Sequence, residues 1–159
     1  RANIEVGEIR NRVRGIATEK EVAKVTVYSV VDRPGVAASL FEPLANADIS
    51  VDVIVQNASV SGTTDLTFTV KSSDLDATMD VVRLVSKNLG MEDVGYSTGL
   101  AKVSIVGTGM QDSPGYAAKM FAALSEGNIN IEMITTSEIR ITCLVKEEST
   151  ADADRKSVV

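Results

Sequence analysis

The chain has 159 residues, of which 44% are hydrophobic, enough for one ordinary core or two small ones. Lys and Arg total 16 against 22 Asp and Glu, and the resulting net charge of −6 argues against nucleic acid as the principal partner. With no histidine and a single cysteine, Cys143, the sequence excludes imidazole-based catalysis, the usual metal clusters and an internal disulfide.

No apolar run reaches the roughly eighteen residues that a membrane span needs, and no basic start precedes an apolar signal region. These features predict a soluble chain with a cytoplasmic home and no membrane partner. The carboxylates are scattered over polar positions, so no active site, and no cofactor, is expected.

The first element is a short strand, Val13 to Ala17, with no obvious neighbour in sequence. A β-branched strand follows from Lys24 to Val31 and ends at Asp32-Arg33-Pro34-Gly35, where Pro34 presets the start of a helix. Val36, Leu40, Phe41 and Leu44 recur at helical spacing, and the pattern stops near Ala47-Asp48. Alternation then predicts a strand from Ile49 to Gln56, a turn at Ser61-Gly62 and a strand through Leu66, Phe68 and Val70. Ser73 and Asp76 have capping-box spacing ahead of a helix with Leu75, Met79, Val82 and Leu89 on one face and Gly90 at its end. A strand from Val94 to Thr98 closes this unit.

The unit then repeats. At an offset of 80, Pro34/Pro114, Gly35/Gly115, Ala37/Ala117, Ala38/Ala118, Phe41/Phe121, Leu44/Leu124, Ile49/Ile129 and Ile54/Ile134 coincide, an internal duplication. The second copy predicts strands at Lys102–Gly107, Ile129–Thr135 and Ile139–Lys146, a helix at Pro114–Glu126, and a further helix opened by Ser149. The order strand, helix, strand, strand, helix, strand defines an α+β fold: two tandem ferredoxin-like βαββαβ domains, each an antiparallel sheet with helices on one face. The expected domains are residues 13–98 and 99–159, the second C-terminally incomplete. Strand 13–17 is expected on the edge of either sheet.

Arg14-Gly15-Ile16-Ala17, Glu21 to Val27, Asp32-Arg33-Pro34-Gly35, Thr63 to Phe68 and Ile134-Thr135-Thr136-Ser137-Glu138-Ile139-Arg140-Ile141 together resemble the tandem ACT regulatory region of bacterial aspartokinases. The resemblance implies a non-catalytic regulatory region that binds threonine or lysine as effector, dimerises, and mediates feedback inhibition of an aspartokinase catalytic subunit. A constitutive scaffold without a ligand of its own is the alternative.

The chemistry of an amino-acid site is present. Backbone N–H groups of Gly35, Val36 and Ala37, behind Pro34 at a helix start, suit a carboxylate, and Asp32 suits an ammonium or hydroxyl. The turn recurs at Ser113, Gly115 and Tyr116, with Asp112 two residues before Pro114 as Asp32 is before Pro34. The resemblance implies that Asn128, Asn130 and Ile131, with Gln56, wall the Asp32 turn, and pseudo-symmetry places Ile49 and Asp52 beside the second. Each feature also has a plain structural reading: Asp-x-Pro-Gly as a turn, Gln56 as a solvated strand end, Asn128 as a helix C-cap, Cys143 as a small apolar residue.

Overall fold

The computed structural model describes residues 13–56, 61–91, 93–107, 115–137 and 139–150. In chain order the elements are β1 (Val13–Val31), α1 (Val36–Asn46), β2 (Ile54–Gln56), β3 (Thr63–Lys71), α2 (Leu75–Leu89), β4 (Asp93–Gly107), α3 (Gly115–Glu126), β5 (Met133–Thr136) and β6 (Arg140–Lys146). Single 3-10 turns follow β3 at Ser72–Asp74 and β6 at Glu147–Ser149. The chain forms two compact units, Glu21–Gly99 and the residues up to Lys20 together with those from Leu100 onward. Strands expected to be separate are continuous: Val13–Ala17 runs on into Lys24–Val31 as β1, and Val94–Thr98 into Lys102–Gly107 as β4. Each long strand serves both units, and the passages between units carry left-handed residues, Glu21 (φ 57) and Gly99 (φ 69).

Unit Glu21–Gly99 has the ferredoxin-like strand order β2-β3-β1-β4. Period-two alternation aims Val25, Val27, Leu66 and Phe68 at one face, where they meet Leu40 and Leu44 of α1 and Met79 and Val82 of α2. The Phe41 ring meets Phe68 edge-on, with centroids 5.3 Å apart. A bulge in β1 between Val27 and Val30 is held by the Ser29 N–H donating to Asp65 Oδ1 at 3.2 Å.

Three local expectations need correction. Helix α1 starts at Val36, not Pro34, because its N-cap Gly35 sits at φ 90 and cannot be helical. The Ser73/Asp76 capping box does not form: the 3-10 turn delivers the chain to α2 without a side-chain cap, and Thr78 Oγ1 donates to the Asp74 carbonyl at 2.7 Å. The strand expected from Ile49 shrinks to Ile54–Gln56, since the Val53 N–H donates to Thr69 Oγ1 at 3.2 Å where a regular ladder would use a carbonyl.

The other unit has the order β1-β4-β6-β5, so strand 13–20 takes the edge beside β4. Its core joins Val103, Ile105, Ile141, Cys143 and Val145 of the sheet to Tyr116, Met120 and Leu124 of α3, and Ile16 of β1 packs against it. The duplication extends to detail. Helix α1 ends with Asp48 at φ 60 and the Ile49 N–H on the Leu44 carbonyl at 3.0 Å; α3 ends with Asn128 at φ 56 and the Ile129 N–H on the Leu124 carbonyl at 2.9 Å. Thr26 and Thr67 share a cross-strand hydroxyl bond of 3.0 Å, and Ser104 and Thr142 one of 2.7 Å.

The Ser104–Thr142 pair is buried, so removing one hydroxyl strands the other. Ser104→Ala is expected to lower stability by about 1–2 kcal/mol and Ser104→Ala/Thr142→Val by less than Ser104→Ala alone, read by urea denaturation.

Candidate functional site

The duplicated turn begins where β1 must stop. Pro34 has no N–H for a ladder, and Gly35 takes a left-handed conformation that other residues adopt at a cost. The turn is braced from within: the Asp32 N–H donates to the Gly62 carbonyl at 3.0 Å, and the Ser39 N–H and Oγ donate to the Gly35 carbonyl at 3.0 and 2.9 Å. Val36 buries its side chain and turns its N–H back to the Arg33 carbonyl at 3.4 Å, a long bond that only partly satisfies it. Asp32, Pro34, Gly35 and Ala37 are exposed, and a Cβ on Gly35 would meet nothing within 4 Å. The outcome is a positive helix end with an acid three residues ahead of it and open space above.

Other expected residues of this unit lie nearby in sequence with mixed roles. Gln56 is exposed at the end of β2, opposite Leu66. Ile49 is buried beneath the end of α1 and contributes packing. Asp52 is exposed, and its N–H donates to the Thr69 carbonyl at 3.2 Å.

In the other unit, Gly115 opens α3, and the Tyr116 side chain lies in the core, only 2% exposed. Only the backbone of Tyr116 can therefore serve a ligand; its buried hydroxyl has no partner among the described residues. Ser113 and Asp112 lie outside the described residues. Asn128, Asn130 and Ile131 come together in one open pocket of about 360 Å³, completed by Phe121, Ser125 and Ile129. Phe121 and Ser125 are additions to the expected set, and their spacing of one helical turn, ending just before Asn128, is the sequence signal for them. The Asn128 backbone caps α3 in the left-handed conformation, and its exposed side chain lines the pocket. Two amides and a hydroxyl beside apolar Phe121 and Ile131 give donors and acceptors without net charge, a lining suited to a small zwitterion.

Among the described residues, no group of three or more His, Cys, Asp or Glu could hold a metal, and no helix is long and apolar enough to cross a membrane. Burial pushes the Cys143 thiol up to about 11, and its Sγ lies 3.9 Å from Met120 Sδ, so this cysteine packs as an apolar group.

The ACT domain family matches residues 25–84 and 103–156. An aspartate kinase of Pseudomonas fluorescens is 44% identical over 136 residues, 86% of this chain and 33% of that protein, and an aspartokinase of Corynebacterium glutamicum is 43% identical over 143 residues. The chain thus spans about a third of the length of the curated relatives it matches. Among solved structures, the regulatory subunit of aspartate kinase from Thermus thermophilus aligns with a TM-score of 0.85 at 35% identity, covering 92% of this chain and 97% of that one. A structure of aspartokinase alpha and beta subunits aligns at 0.82 and 40% identity, covering 91% and 95%. The fold and turns define a tandem ACT protein, and the chain belongs to the ACT-domain regulatory regions of the aspartate kinases.

Two outcomes test this geometry. Gly35→Ala is expected to cost about 1–2 kcal/mol by chemical denaturation and Gly35→Asn less, because the cost lies in the positive φ and not in a clash. Cys143 is expected to resist alkylation at pH 8 until denaturant is added, since both burial and its raised pKa suppress the thiolate.

Proposed function

We propose that the chain is the amino-acid sensor of an aspartate kinase, binding threonine or lysine and passing feedback inhibition to the catalytic subunit in the cytoplasm. The observation that carries this reading is the pocket that gathers Asn128, Asn130 and Ile131, with the braced Asp32–Ala37 turn as the matching carboxylate and ammonium site. The ligand sits at interfaces between ACT domains of two paired copies, with Gln56 beside the Asp32 turn and Ile49 and Asp52 beside the Gly115 turn. The similarity to a chain solved within aspartokinase alpha and beta subunits supports a catalytic-subunit partner.

The mechanism is linkage. A ligand that binds only the paired state stabilises it by RT ln(1 + [L]/Kd), about 2.7 kcal/mol at a hundredfold excess over Kd. The kinase responds only as far as the paired and unpaired states differ in their contacts with it.

The test is a thermal melt of the chain against threonine, lysine, methionine and glycine at millimolar concentration. Threonine or lysine is expected to raise Tm by several degrees and the other two to leave it unchanged. Asp32→Ala and Asn130→Ala are expected to remove the shift with little change in the ligand-free Tm. No shift with any amino acid would favour the constitutive scaffold, and a large fall in the ligand-free Tm of Asp32→Ala would make Asp32 structural.

A further inference from the structure

The unit built from Leu100 onward depends on an edge strand that the chain supplies from before the whole of unit Glu21–Gly99. That strand is lightly held by packing. Gly15, Ala17, Glu19 and Lys20 are exposed, Ile16 and Thr18 are half-buried, and among residues 15–20 Ile16 packs against the core. Past Glu21 the same strand changes character, with Val22, Ala23, Val25, Val27 and Val30 buried.

The polar contact is stronger. Lys102, its side chain 8% exposed, places Nζ 3.1 Å from Oε2 of Glu19, whose side chain is 54% exposed. A nearly buried ammonium gains more from such a carboxylate than a surface pair does, and its loss costs correspondingly more. The boundary between the two halves of β1 is Glu21 at φ 57, and the ladder between β1 and β3 begins immediately after it at Val22↔Lys71. Rotation at Glu21 would therefore free residues 13–20 without breaking the pairing of Val22 to Val31 with β3.

We propose that residues 13–20 form a displaceable strap, closed by the Glu19–Lys102 ion pair over Ile16 and hinged at Glu21. Closed, the strap covers the β4 edge of the second unit; open, it bares the hydrogen-bonding groups of that edge and takes the Glu19 carboxylate away from Lys102. Whatever binds or pulls the chain upstream of Val13 biases this equilibrium.

Hydrogen exchange on the full chain, read by mass spectrometry, tests it. In the unaltered chain, amides of residues 13–20 are expected to exchange at least about tenfold faster than those of residues 22–27. Glu19→Gln is expected to speed exchange in residues 13–20 and 100–106 by about a further tenfold and to leave residues 63–71 unchanged. Trypsin cleavage after Lys20, which needs the strand out of its sheet, should accelerate in Glu19→Gln. Unchanged exchange of residues 13–20 in Glu19→Gln would overturn the proposal, and so would a uniform rise across both units, the mark of global unfolding.

Discussion

The hydrogen-bonding demand along β4 from Leu100 to Gly107 is the constraint on which the architecture rests. One side of that segment is satisfied by β6, in a register that runs from Leu100↔Lys146 to Val106↔Arg140. The other side is met by residues of β1 from before unit Glu21–Gly99, so that in sequence this unit is inserted between those residues and their partner β4. Two consequences follow. Strands β1 and β4 are 19 and 15 residues long, far beyond the usual strand of about 5–6, because each serves two units. The inserted unit is contiguous and local, whereas the other must close a loop across it, a slower route to the native state.

The duplication shows which parts of the ancestral unit physics holds fixed. Core positions keep their apolar character with shifted volume: Val36 against Tyr116, Leu40 against Met120, Leu44 against Leu124. The helix ends keep one geometry because each must bury the following isoleucine, Ile49 or Ile129, directly after a left-handed residue. The exposed positions drift instead. Asn128, Asn130 and Ser125 of the pocket correspond at the same offset to Asp48, Ser50 and Ala45. One wall thus presents neutral amides and its counterpart an acid and a hydroxyl, two different hydrogen-bonding surfaces.

Periodicity made the core legible in the sequence. Leu66, Phe68 and Val70 alternate inward, and Val36, Leu40 and Leu44 follow helical spacing, because burial imposes those periods directly. The partner of strand 13–17 was not legible, since an edge pairing about eighty residues distant leaves no local periodic trace. Nor was the fusion of two strands into β1, because the polar run Thr18 to Glu21 that joins them carries no apolar alternation. The start of α1 was misplaced by the competition between Pro34, which favours an early start, and Gly35, whose positive φ forbids it. In the site, the turn residues and the two asparagines were legible as polar groups at punctuated positions; Phe121 and Ser125 carry only a weak signal, their one-turn spacing ahead of Asn128, which on a helix looks like any amphipathic pair.

The pocket and the strap lie on opposite sides of one sheet order, β1-β4-β6-β5, with Ile131 just ahead of β5 and Glu19 on β1. A signal between them crosses β4 and β6, whose ladder is stiffened by the buried Ser104–Thr142 bond and the Val103↔Cys143 pair. Magnitudes then limit what one ligand does. Moving a two-state element from 1:99 to 99:1 takes about 5.5 kcal/mol, and a single site at a hundredfold excess over Kd supplies about 2.7 kcal/mol. One occupied site shifts such an equilibrium about halfway in free energy. Two sites acting on one element would supply the difference, which is what the proposed sensor reading asks of the duplicated unit.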